Sequence, residues 1–189
     1  MSLHTNLRGL FGVSVVIFLV LSFLIAIMPA VELQGVKPLE GKPALTDVEI
    51  RGRNLYLKEG CATCHTQFVR DLPVDKPYGR GSIAADYAGE QPPLLGTQRT
   101  GPDLANVGIR QPSDVWNLIH LYNPRAVVPK SAMPAYPWYF ELKDQAAADD
   151  IKVPVPSQYV PQGKTVIATA EAIALVRYLQ TLKQAEVGQ

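Results

Sequence analysis

Cys61-Ala62-Thr63-Cys64-His65 gathers two thiols and an imidazole within one turn of chain, and these are the only cysteines in the 189 residues. A C-x-x-C-H run is the attachment signal for c-type haem. The two thiols add across the porphyrin vinyl groups as thioethers, and the adjoining His65 reaches the iron from one face. Two further chemistries use paired cysteines. A thioredoxin-type redox pair wants a βαβ setting, which the surrounding sequence does not provide. A structural zinc wants a second pair of ligands, and only His4 and His120 remain. One covalent haem c is the expected cofactor.

An iron held by His65 leaves its opposite position to fill. The chain has three methionines, Met1, Met28 and Met133. Met133 alone lies away from the N-terminal apolar run, before Pro134 in a proline-rich loop. A Met/His pair favours reduced iron and raises the potential, which suits electron transfer. Met133 is therefore the expected second axial ligand. His120 is the rival, although a single His in an apolar helix stretch is more often a hydrogen-bonded structural residue. The position could also stay open, with loop packing as the ordinary role for Met133. A ligating imidazole usually donates its other N–H to a carbonyl, and Gly101-Pro102-Asp103-Leu104 is the candidate segment to supply one. Arg70, Arg99, Arg110 and Arg125 are candidate partners for haem propionates, because a guanidinium matches carboxylate geometry. A solvated surface charge is the plainer role for each.

These residues need elements to position them. Gly9 to Met28 carries no charge over 20 residues, about 30 Å as a helix, the thickness of a bilayer core. It exceeds the apolar part of a cleaved signal peptide, so a transmembrane anchor ended by Pro29 is expected. Arg8 before it and Glu32 after it favour an N-terminus inside. Gly35, Pro38, Gly41 and Pro43 mark a linker. The expected organisation is an anchor over 1–30, a linker over 31–45 and a haem domain over 46–185. Thr46 and Glu49 have capping-box spacing, predicting a helix with Val48, Leu55 and Tyr56 facing a core up to Gly60. Residues 71–101 read as a long loop. Ser113 or Asp114 caps a short helix through Trp116, Leu118, Ile119 and Leu121, and residues 123–163 read as mostly irregular. Ala174, Leu175, Tyr178, Leu179 and Leu182 predict a last helix over Thr169 to Lys183. The expected fold is all-α, a few short helices on long Pro/Gly-rich loops around a haem. With 18 basic and 17 acidic side chains, net charge +1, no nucleic-acid partner is expected.

The C-x-x-C-H run, the Gly-Pro-x-Leu segment and the Met-Pro pair together resemble class I cytochromes c. The resemblance implies that the first and last helices cross and that the Pro102 carbonyl orients His65. Gly52 and Tyr56 stand one residue further from Cys61 than the family's small and aromatic pair, which leaves their contact with Tyr178 open. Residues 56–70, 99–108, 120–125, 128–138 and 172–182 resemble, in the same order, subunit II of cbb3-type cytochrome c oxidases. That resemblance implies an electron-transfer subunit without a catalytic site of its own. It would sit in a bacterial inner membrane as a single-pass chain, N-terminus cytoplasmic and haem domain periplasmic. Residues 9–28 would lie in lipid. Electrons would pass from c-type haems, on another cytochrome c subunit, to the haem b of a catalytic haem–copper subunit that reduces O₂ to water. Tyr78-Gly79-Arg80-Gly81-Ser82 resembles the loop that docks near the partner's haem but is altered, which puts a Ca²⁺ bridge through Ser82 at that interface in doubt. The mono-haem subunit of nitric oxide reductase shares the same plan. A free membrane-tethered shuttle and an open-site gas sensor would carry the same attachment motif.

Overall fold

The N-terminal apolar run forms one helix, α1 (Leu7–Gln34), the single helix among the described residues long and apolar enough to cross a membrane. Asn6 caps it through the Gly9 N–H at 3.2 Å. The expectation that Pro29 ends this helix is not met, because the helix continues to Gln34. Proline removes an N–H and crowds the carbonyl one turn back. Here a π turn over Phe23–Ile27 widens the helix just before it, with the Met28 N–H donating to the Phe23 carbonyl, and a wider turn relieves that crowding. The computed structural model describes residues 6–39, 43–90 and 92–184. Met1, His4 and Gly41 lie outside the described residues. The chain divides into two units: α1 with the segment Ile83–Glu90, and the remainder.

In the second unit, α2 (Asp47–Lys58) starts at the expected capping box. The Thr46 N–H donates to Glu49 at 2.7 Å, and the Glu49 N–H returns to Thr46 Oγ1 at 3.4 Å. Replacing Thr46 by Ala should lower unfolding stability by about 1 kcal/mol, read as a shift in denaturant midpoint with unchanged slope. Tyr56 is buried and Leu55 half-buried, whereas Val48 is exposed. A short helix α3 (Val107–Arg110) precedes α4 (Asp114–Tyr122), and the Ser113 hydroxyl rather than Asp114 caps α4. The last helix, α5 (Ala170–Thr181), is capped by Thr169 and buries Ala172, Ala174, Leu175, Val176 and Tyr178.

α2 and α5 cross as the class I resemblance implies. Gly52 lies directly on α5: a Cβ there would overlap the Ala174 carbonyl oxygen and stand 2.8 Å from the Tyr178 Cβ. One turn later Tyr56 meets Tyr178 edge-on, ring centroids 5.5 Å apart. The one-residue offset away from Cys61 therefore leaves the crossing intact.

The all-α expectation is overturned by a three-stranded antiparallel sheet. Strands β1 (Phe140–Lys143), β2 (Lys152–Val153) and β3 (Thr165–Ala168) run in the order β1-β3-β2, with Phe140 opposite Ala168 and Val153 opposite Val166. The fold is α+β. Two of these strands fall within residues 123–163, read as irregular. Their brevity hides them, since two to four residues are too few to display a period of two. β3 also shows no alternation, because Val166, Ile167 and Ala168 are all buried. The sheet places α5: β3 runs straight into its cap, where the Thr169 N–H and hydroxyl both donate to the Tyr139 carbonyl, at 3.2 and 2.8 Å.

Candidate haem site

Gly60, in the left-handed region with φ 67°, turns the chain out of α2 into a single 3-10 turn over Cys61–Thr63. The Cys64 and His65 N–H groups both donate to the Cys61 carbonyl, at 3.2 and 3.0 Å. Both thiols are free, Cys61 partly buried against the apolar core and Cys64 exposed. Burial, with Glu59 adding to it, pushes the Cys61 thiol up to about 12. A redox C-x-x-C pair needs the opposite shift. Among the described residues no group of three or more His, Cys, Asp or Glu side chains is placed to hold a metal ion.

His65 Nδ1 lies 2.8 Å from the Pro102 carbonyl oxygen. That oxygen only accepts, so Nδ1 carries the proton and Nε2 is left with its lone pair as a metal ligand. The ring packs against the chain at Gly101, where a Cβ would run into the imidazole Cε1 and stand 2.7 Å from Nδ1. Met133 is half-buried on the same apolar core that Cys61 and Ala62 pack against, its N–H donating to Ser131 Oγ at 3.2 Å.

His120 stacks on Trp116 at 4.6 Å, and its buried Nδ1 has no hydrogen-bond partner. It is therefore not the hydrogen-bonded structural histidine expected from its sequence setting. Burial, with the nearby His65 adding to it, pushes its imidazole down to about 4. An orphaned buried nitrogen costs about 1–3 kcal/mol. Its presence, together with two free thiols and a tautomer-fixed imidazole, fits a polar prosthetic group in this part of the chain. The donor set is the one a c-type haem requires.

The four arginines differ in what they touch. Arg70 grips the fully buried Asp75 with Nε at 2.8 Å and a terminal nitrogen at 2.9 Å. Arg99 pairs with the same carboxylate, and also reaches Thr66 Oγ1 at 2.7 Å and the Phe68 carbonyl at 2.6 Å. Arg110 donates to the Asp103 carbonyl, and both it and Arg99 lie over the Tyr78 ring, at 5.1 and 5.4 Å. The Arg125 guanidinium makes no hydrogen bond or ion pair among the described residues, although its main chain accepts from the Tyr159 hydroxyl. Ser82 Oγ accepts from the Val69 N–H at 2.9 Å and from Gln184 at 3.3 Å.

Sequence reasoning does not assign Asp75 and Asp103, the two fully buried carboxylates. Asp103 lies inside the Gly-Pro-Asp-Leu segment already singled out, whereas nothing local marks Asp75. Arg70 and then Arg99 hold the Asp75 carboxyl well below the usual carboxylate range. A depressed folded-state value contributes stability that is complete above the ordinary carboxylate value, about 4, and is lost as pH falls through the folded value. Wild-type chain should thus lose denaturant resistance steeply below about pH 4. Asp75→Asn should be weaker at neutral pH and show a flatter acid limb in the same titration.

The family model described as "Cytochrome C oxidase, mono-heme subunit/FixO" matches residues 3–156. That span holds α1, the Cys61–His65 turn, Pro102, Met133 and strands β1 and β2, and stops before β3 and α5. No curated protein matches the chain. With its attachment turn, its oriented imidazole and this match over most of its length, the chain belongs to the mono-heme subunit/FixO family of cytochrome c oxidase.

Proposed function

We propose that this chain is the membrane-anchored electron-transfer subunit of a cbb3-type haem–copper oxidase, taking electrons from c-type haem donors and passing them to the haem b of the catalytic subunit. The observation that carries the reading is the His65 Nδ1 to Pro102 carbonyl bond beside two free thiols at C-x-x-C spacing, in a chain of an oxidase subunit family. A bound haem c supplies an Fe(II)/Fe(III) couple. Within the domain over residues 46–185, Cys61 and Cys64 would hold the porphyrin through thioethers. His65, fixed in one tautomer by Pro102, and Met133, in the loop before Pro134, would supply the two side-chain ligands to the iron. With His65 and Met133 both engaged, O₂ and nitric oxide would be kept from the iron here, and O₂ reduction would fall to the partner. Arg125, whose guanidinium has no other partner among the described residues, is the first candidate for a propionate. Arg70, Arg99 and Arg110 are already engaged.

The apolar helix supports a single-pass anchor. Arg8 before it, and the site where c-type haem is attached, support a cytoplasmic N-terminus and a periplasmic haem domain. The test is gentle solubilisation of native membranes, capture of this chain, and reduced-minus-oxidised spectra with metal analysis. Haem c with haem b and copper is expected. Haem c and b with excess iron and no copper would assign the subunit to a nitric oxide reductase, and haem c alone would leave a tethered shuttle.

A further inference from the structure

The segments 64–68 and 101–105 run beside each other and are laced by main-chain bonds on both sides of Pro102. The Gly101 N–H donates to the Cys64 carbonyl at 3.0 Å, and the Leu104 N–H donates to the Thr66 carbonyl at 2.7 Å. These bonds pin residues 101 and 104 but leave the peptide between Pro102 and Asp103 free to rotate as a plank. The carbonyl of that peptide accepts from His65. Proline has no N–H with which to anchor itself.

The Asp103 side chain removes that freedom. It is fully buried. Its Oδ2 accepts from Thr66 Oγ1 at 2.5 Å and from the Phe68 N–H at 2.9 Å, both just after His65. Its Oδ1 accepts from the Ala105 N–H at 2.8 Å, and its own carbonyl is held by Arg110. Arg99 lies 3.5 Å from Oδ2 and also donates to Thr66 Oγ1. Side chain and main chain of Asp103 are thus both fixed, and the peptide plane carrying the Pro102 oxygen is fixed with them.

We infer that Asp103 is a positioning residue for the axial histidine: its carboxylate, through Thr66 and Phe68, locks the Pro102–Asp103 peptide so that the Pro102 carbonyl holds the His65 Nδ1–H. The inference rests on His65 being a haem ligand. The strength of this bond sets the basicity of the imidazole, and hence its preference for ferric over ferrous iron. Loosening it weakens the imidazole as a donor and raises the midpoint potential.

The test uses the full-length holoprotein in detergent, with Thr66→Val, Asp103→Asn and Asp75→Asn. Thr66→Val keeps every charge, so any change in its potential reads geometry. Asp75→Asn removes a carboxylate of the same cluster that does not touch residues 101–105. Two quantities are followed by NMR and redox titration: solvent exchange of the His65 ring N–H in the ferric protein, and the midpoint potential. Thr66→Val should exchange that proton at least tenfold faster and shift the potential upward. Asp103→Asn should do so more strongly, and Asp75→Asn should leave the exchange rate within twofold of wild type while losing stability. If Asp103→Asn does not accumulate, Thr66→Val carries the decision alone. Unchanged exchange and potential in Thr66→Val would overturn the inference, as would equal acceleration in Asp75→Asn. Absence of a ring N–H signal from His65 in the wild-type ferric protein would instead overturn its assignment as the axial ligand.

Discussion

Met133→Ala should lower the midpoint potential by a sizeable fraction of the roughly 0.8 V that axial ligands span. A thioether favours ferrous iron, so its loss leaves the ferric state relatively better stabilised. With Met133 as the proposed ligand, the variant should also bind carbon monoxide rapidly when reduced, which the wild type should not. Reductive titration and a carbon monoxide difference spectrum read the two effects separately. His120 provides the control. Its Nδ1 is buried without a partner and its ring stacks on Trp116, so it is a second side chain with a nitrogen available to the interior. If His120 were the ligand, Met133→Ala would keep both its potential and its resistance to carbon monoxide, and His120→Phe would lose them.

Gly52→Ala should destabilise the domain by about 1–3 kcal/mol, the usual cost of overpacking, and Gly52→Val should prevent holoprotein from accumulating. The sign is the decisive feature. Helix propensity alone predicts that alanine at a mid-helix glycine gains up to about 1 kcal/mol. The structure predicts the reverse, because the added Cβ meets the Ala174 backbone carbonyl rather than the end of a flexible side chain. A backbone group cannot step aside without separating α2 from α5, and with them the edge-on Tyr56–Tyr178 contact. Chemical denaturation of Gly52→Ala settles the sign. A stabilised variant would mean that the helices do not cross at this residue.

What is legible in the sequence follows the range of the interactions involved. The α2, α4 and α5 caps are signals spread over three or four residues, and each stands within a residue of its expected place. The Cys61–His65 turn is equally local. The sheet escapes sequence reasoning because its pairings join residues 13 to 28 apart in chain order through strands too short to show a pattern. Asp75 escapes it for a related reason. Its partners Arg70 and Arg99 lie on opposite sides of a Pro/Gly-rich loop, and an isolated aspartate in such a loop reads as solvated. The arginines stand out in the sequence and suggest propionate partners, since nothing there shows that a buried carboxylate already holds Arg70 and Arg99. Pro29 reads as a helix end by a rule that a neighbouring π turn overrides.

The most direct measurement is the intact mass of the full-length chain made in cells that attach c-type haem, compared with the double variant Cys61→Ala, Cys64→Ala. The wild type should carry the mass of one haem through denaturation, and the double variant should carry none. A wild-type chain that denatures to the bare polypeptide, with thiols free or joined as a disulfide, would contradict a covalent haem at Cys61 and Cys64 and the electron-transfer role built on it.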